Sequence, residues 1–218
     1  MKTRERAQFV FKELKQLYPS PKTELKNWNT DFQFLVCIML SAQTTDIQVN
    51  KVSGKLFKRF PEIQSFATAD IAQVERLISS INFYKTKSKH LVKMAQILIK
   101  DFDSKVPVSS KTLVSLPGIG KKTANVFLNE LFHANQGIAV DTHVARVAQR
   151  LDLTKKRGAD KISLDLEKVY EKKDWYLINS MFVLFGRYVC KAKKPLCSTC
   201  PRNDICRVGL GNKKDPQI

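Results

Sequence analysis

The chain has 218 residues, room for one compact domain or for two small ones around a shared cleft. Hydrophobic residues make up 43% of it and charged residues 27%, a balance that argues against disorder. Lys and Arg outnumber Asp and Glu 38 to 20, and the net charge of +18 opposes a compact state unless a polyanion neutralises it, so nucleic acid is the first candidate partner and an anionic membrane surface the second.

In chain order, Met1 to Arg6 lead into an amphipathic segment with acidic residues, not into a secretory apolar region. Phe9, Val10, Glu13, Leu14 and Leu17 mark a first helix with one apolar stripe, stopped by Pro19 and Pro21. Thr30 or Asp31 caps a second through Phe34, Leu35, Ile38 and Met39. The longest apolar run, Phe32 to Leu40, is broken by Gln33 and is far shorter than the roughly 20 residues of a membrane span. No membrane is therefore expected, and the expected location is cytoplasmic and nucleoid-associated. Asp46 starts a third helix with Leu56, Phe57 and Phe60 inside. Asp70 caps a fourth carrying Ile71, Val74, Leu77 and Ile78. Leu91, Val92, Ala95, Leu98 and Ile99 stripe the next, and further helices follow from Lys121, Asp141, Ile162 and Trp175. No segment alternates with period two between hairpin turns, so the fold class is all-α. An internal boundary is expected near Ala134 to Gly137, with a cleft between two helical lobes.

Leu116-Pro117-Gly118-Ile119-Gly120-Lys121-Lys122 joins the short apolar segment at Leu113 and Val114 to a helix. Gly118 and Gly120 open backbone angles closed to other residues and leave no side chain to hold a ligand away. The turn and the helix N-terminus behind it then offer N–H groups to an anion. A P-loop needs Gly-Lys-Ser/Thr, and a dinucleotide fingerprint needs a preceding strand and a glycine where Thr123 stands. An ordinary helix–turn–helix corner is the competing reading. Lys122 sits in the first helical turn, beside Lys121, where the macrodipole disfavours an ammonium. Its pKa is expected to fall, and a neutral amine can attack a sugar carbon to form a Schiff base. A plain phosphate contact is the alternative. Asp141, in Val140-Asp141-Thr142-His143-Val144, is an N-cap that can also face a cationic sugar or help deprotonate the lysine.

Cys37 lies alone in the apolar run, a small hydrophobe without chemistry. Cys190, Cys197, Cys200 and Cys206 are spaced Cys-x6-Cys-x2-Cys-x5-Cys, and four thiolates this close can surround one centre, zinc or an iron–sulfur cluster. Lys191, Lys193 and Lys194 lie between the first two ligands, on a loop pinned at both ends and suited to phosphate, or else a solvated charge run.

Four stretches carry a resemblance over nearly the whole chain: Ser41 to Asp46 (SAQTTD), Leu116 to Ala124 (LPGIGKKTA), Val140 to Val144 (VDTHV), and the four-cysteine spacing. Together they resemble bacterial endonuclease III, the family of helix–hairpin–helix DNA glycosylases with AP lyase activity. The resemblance implies a six-helix lobe over 22–134 and a discontinuous lobe of 1–21 and 135–218 that carries a [4Fe-4S] cluster. It implies Lys122 as nucleophile, Asp141 as assisting carboxylate and the four cysteines as cluster ligands. Gln43 would probe the gap left by a flipped-out nucleotide, with Phe83 as the apolar wedge. Gly118, Gly120, Lys121, Lys191, Lys193 and Lys194 would contact DNA. The implied partner is double-stranded DNA containing damaged bases or abasic sites, bound by a monomer. The implied substrates are oxidised or ring-saturated pyrimidines, with strand cleavage by β-elimination.

Three positions depart from the family pattern. Asn82-Phe83-Tyr84 replaces a common Gly-Leu-Tyr, the interval from Lys122 to Asp141 is one residue longer through an insertion near His133 to Gly137, and Phe185-Gly186-Arg187 replaces His-Gly-Arg. Lys85, Lys87, Lys89 and Lys93 form an expected phosphate track or a solvated helix face. A monofunctional glycosylase and a non-catalytic DNA-binding iron–sulfur module on the same scaffold are the competing functions.

Overall fold

Side-chain caps and prolines cut the chain into helices much where the sequence places them. The computed structural model describes residues 2–206, 208 and 209, and among the described residues there is no strand, so the fold is all-α. Helix α1 (Thr3–Leu17) begins where Glu5 accepts from the Lys2 N–H at 3.1 Å. Thr30 caps α2 (Asp31–Ser41) through the Gln33 N–H at 3.2 Å, and Thr45 caps α3 (Asp46–Arg59) through Gln48 at 3.3 Å. After α4 (Ile63–Ala67), Asp70 caps α5 (Ile71–Leu77), and α6 (Tyr84–Phe102) and α7 (Ser110–Leu113) follow. The chain continues through α8 (Lys121–Phe132), α9 (Thr142–Arg150), α10 (Ala159–Val169) and α11 (Trp175–Tyr188). Helices α4 and α7 are not foreshadowed by periodicity, because five and four residues are too few for a stripe.

The helices divide into two units: Thr23–Phe132, and a discontinuous unit of Met1–Lys22 with His133–Ile218. The first is built around α2, which is buried from Phe32 to Leu40 and is apolar there except for Gln33, whose amide donates to Pro61 O at 2.9 Å. Phe34 of α2 stacks on Phe127 of α8, and Phe66 of α4 meets Phe32, Phe57 and Phe60. In the discontinuous unit, Ala7, Val10 and Leu14 of α1 join Val144 and Val147 of α9 and Ile178 and Phe182 of α11 in one core.

The stripe on α1 differs from the expected one. Phe9 and Leu17 lie at the surface, and Ala7 takes the inward place because the helix packs on α10 and α11 through that face. The Phe9 ring is covered by the Arg202 guanidinium, 4.0 Å from its centroid. The segment after α8, where the insertion is expected, is tied to α11. His133 stacks on Tyr176, and the Asn135 side chain accepts from the Tyr176 N–H at 2.9 Å.

Candidate functional site

The hairpin between α7 and α8 is held by its apolar residues. Leu116 and Ile119 are buried, with the Leu116 N–H donating to Leu113 O at 3.0 Å and the Ile119 N–H to Leu116 O at 3.1 Å. Gly118 has φ +79, and a Cβ there would stand 2.8 Å from Met39 Sδ and 3.0 Å from His90 Nδ1, so only glycine fits. Gly120 is a correction. Its φ is not left-handed and a Cβ on it would meet nothing within 4 Å, so its value is an open approach to the backbone and not a special angle.

Helix α8 starts directly after it, the Ala124 N–H closing on Gly120 O at 3.0 Å, which leaves the preceding N–H groups without partners inside the helix. Lys121 and Lys122 lie exposed in this first turn, and the Lys122 amine has no hydrogen bond or ion pair among the described residues. In the other unit, Asp141 heads α9. Its Oδ1 accepts from the Val144 N–H at 2.8 Å, the capping role expected of it, and the residue is half-buried.

Gln43 and Phe83 occupy the tips of two neighbouring turns, one after α2 and one before α6. Both have left-handed backbones, with φ 56 and 59, and Phe83 is 63% exposed despite its size. Asn82 ties the turns together: its side-chain amide donates to Gln43 O, and its N–H donates to Thr44 Oγ1 at 3.3 Å. The lysine track on α6 is also corrected. Lys85, Lys89 and Lys93 are exposed on one helical face, but Lys87 is 7% exposed and its Nζ donates to Leu40 O at 2.8 Å and Ala42 O at 2.7 Å. Burial lowers its pKa to about 8.

Cys190, Cys197, Cys200 and Cys206 all line one pocket in the discontinuous unit, and its lining contains no carboxylate or imidazole. Among the described residues no three Cys, His, Asp or Glu side chains are gathered as for a single metal ion. The thiols are spread around a cavity instead. N–H groups point at two sulfurs, Arg150 Nη1 at Cys190 Sγ and the Arg202 N–H at Cys200 Sγ, each at 3.4 Å. The Cys200 thiol is pushed up first by burial and then by the other three thiols, against the Arg202 N–H, which lowers it. An all-sulfur ring with N–H donors on its sulfurs suits a thiolate-bound cluster. Cys37 is buried elsewhere, and burial pushes its thiol up to about 12, which disfavours the reactive thiolate.

Lys191, Lys193 and Lys194 are exposed between the first two cysteines. Their loop is held by a residue that sequence reasoning missed: Arg150 donates to Lys191 O at 2.7 Å and to Ala192 O at 3.0 Å. Arg146, four residues earlier on α9, donates to Cys190 O and Gly186 O. The spacing of His143, Arg146 and Arg150 on one helical face was the available signal. Gly186 runs close to the same helix, since a Cβ on it would stand 3.0 Å from the His143 Cβ and His143 would have to give way.

Residues 36–172 match the model of the HhH-GPD superfamily base excision DNA repair proteins. The chain is 39% identical over 203 residues to endonuclease III of Synechocystis sp., covering 93% of this chain and 92% of that one. It is 35% identical over 208 residues to endonuclease III of Bacillus subtilis, covering 95% and 94%. Its structure matches that of a trapped endonuclease III–DNA covalent intermediate with a TM-score of 0.91 at 34% identity, over 98% of this chain and all of that one. No helix among the described residues is long and apolar enough to cross a membrane. The chain belongs to the HhH-GPD superfamily of base excision DNA repair proteins and, within it, to the endonuclease III family.

Proposed function

We propose that this protein is a bifunctional DNA glycosylase and AP lyase that excises oxidised pyrimidines from duplex DNA through a Schiff base on Lys122. The observation that carries this reading is an exposed, unpaired amine in the first turn of α8, directly behind a glycine hairpin with open backbone. That a similar chain has been trapped as a covalent intermediate on DNA supports it.

The hairpin N–H groups and Lys121 hold phosphate, and Lys191, Lys193 and Lys194 add a second backbone contact. The damaged nucleotide leaves the stack, because its sugar carbon is out of reach inside the duplex. Gln43 fills the gap and Phe83 wedges the neighbouring stack. The Lys122 amine, once it has given up its proton, attacks C1′, and the glycosidic electron pair leaves with the base, which takes up a proton. Asp141 faces the positive charge that develops on the sugar and takes part in removing the lysine proton. The sugar ring opens to a Schiff base. Loss of a proton from C2′ then expels the 3′ phosphate, and water releases the lysine and an unsaturated aldehyde end. The four cysteines hold a [4Fe-4S] cluster, which when bound cross-links their segment and fixes the basic loop within it. The protein acts as a monomer, in the cytoplasm on the nucleoid.

The test is incision of duplexes carrying thymine glycol, uracil or an abasic site. Thymine glycol and abasic strands are expected to be cut on the 3′ side to an unsaturated aldehyde end, uracil strands to stay intact, and Lys122→Gln to leave all of them whole. Release of thymine glycol with every strand left unbroken overturns the lyase half, and cutting by Lys122→Gln overturns the role of that amine.

A further inference from the structure

Lys87 is the one lysine of its stretch that no DNA contact can use, since its amine is spent inside the protein. The two carbonyls it holds, Leu40 O and Ala42 O, lie at the C-terminal end of α2, where backbone acceptors lack helical partners and the macrodipole is negative. Ala42 is the residue before Gln43. The same lysine's backbone N–H donates to Phe83 O at 3.0 Å and closes the first turn of α6. One residue therefore grips both turns, by its side chain just ahead of Gln43 and by its main chain at Phe83. Asn82 completes the link between them.

Gln43 and Phe83 both adopt left-handed backbone that a side chain disfavours, and both side chains are exposed. Strain of that kind persists only where the surroundings over-determine it. Each turn is closed by its own backbone bond, Thr44 N–H to Ser41 O at 3.0 Å and Tyr84 N–H to Ile81 O at 3.1 Å, and the ties from Lys87 and Asn82 join the two turns to each other.

We propose that Lys87 is a positioning residue that fixes Gln43 and Phe83 as one two-pronged element, so that gap filling and wedging happen together when the nucleotide leaves the stack. This rests on the reading that the two tips enter the duplex. Burial of an ammonium at this point opposes its charge and is offset by the two carbonyls, so an apolar replacement keeps the packing while removing the grip.

The test compares a lesion that must be flipped with one that need not be. Wild type, Lys87→Met, Lys87→Arg, Gln43→Ala and Phe83→Ala are assayed in single turnover on duplex thymine glycol, with 2-aminopurine beside the lesion reporting unstacking. Each is also assayed by borohydride trapping on a single-stranded abasic oligonucleotide. Lys87→Met is expected to lose about 10²-fold in duplex excision, together with the fluorescence rise, the order expected of misplacement away from the chemistry. Its single-strand trapping should equal wild type, and Lys87→Arg should recover part of the duplex rate. If the two tip variants lose duplex activity while Lys87→Met keeps it, the positioning role is overturned and the tip reading stands. If Gln43→Ala and Phe83→Ala both unstack the duplex normally, the tip reading itself fails and the proposal with it. Equal losses by Lys87→Met on both substrates mean a merely structural lysine and also overturn it. Should Lys87→Met not fold, Lys87→Gln, which keeps one donor, is judged by the same split between duplex and single strand.

Discussion

The hairpin ahead of α8 and the loop between Cys190 and Cys197 both present lysines to solvent, yet they are held by opposite kinds of force. The hairpin is anchored from beneath by buried Leu116 and Ile119, with Gly118 pressed against Met39 and His90. The cysteine loop has exposed lysines above and polar ties below: Arg150 on two of its carbonyls and thiols at its ends. An apolar anchor is set by burial and tolerates salt and pH. A polar anchor depends on partners that can be removed one at a time.

The widest separation between the two regions is expected from Cys197→Ser. Losing one of four thiolates should abolish the bound cluster, seen as loss of iron and of visible absorption. The Lys191–Lys194 loop is released, while the hairpin retains its shape, checked by hydrogen exchange at Leu116 and Ile119. Iron retained at wild-type level contradicts the ligand assignment.

Gly118→Ala probes the other side. Its Cβ meets Met39 Sδ at 2.8 Å on a backbone at φ +79, so stability should fall by about 1–3 kcal/mol, with iron content unchanged. A denaturant midpoint equal to wild type shows that the hairpin can relax away from Met39. Gly120→Ala is the matched control and should leave stability close to wild type, because the space around it is empty.

Arg150→Met sharpens the comparison more gently. It removes the bonds to Lys191 O and Ala192 O and the N–H aimed at Cys190 Sγ, at a cost of about 1–2 kcal/mol for groups that water can reach. Weaker binding of undamaged duplex with the hairpin intact is the expected outcome of a titration. The smallest effect is expected from replacing Lys191, Lys193 and Lys194 by Ala together. The slope of log affinity against log salt should shrink by about 0.9 for each phosphate that is no longer neutralised. An unchanged slope makes these lysines a solvated charge run.

What is legible in the sequence follows the same division. The capping side chains of Thr30, Asp70 and Asp141, and the apolar anchors of the hairpin, announce themselves because burial and caps leave a local pattern. The α1 stripe is ambiguous, since Ala7-Val10-Leu14 and Val10-Leu14-Leu17 have the same helical period and only packing against α10 and α11 chooses between them. Polar anchors leave no pattern. Lys87 looks like its neighbours Lys85 and Lys89, and nothing local says that one of them turns inward to carbonyls 45 and 47 residues away. Asn82 is hidden for the same reason, and the face that Arg150 shares with His143 and Arg146 marks the residue without revealing its distant carbonyl partners. Gly120 misleads because glycine serves both strained turns and open approaches.

The central claim is that one amine forms the bond to DNA, and mapping that bond tests it most directly. Protein trapped by borohydride on an abasic duplex, then digested and sequenced by mass spectrometry, should carry the reduced sugar on Lys122 alone, with no adduct formed by Lys122→Gln. A sugar found on Lys121 or on the N-terminal amine, or an undiminished adduct in Lys122→Gln, contradicts the account.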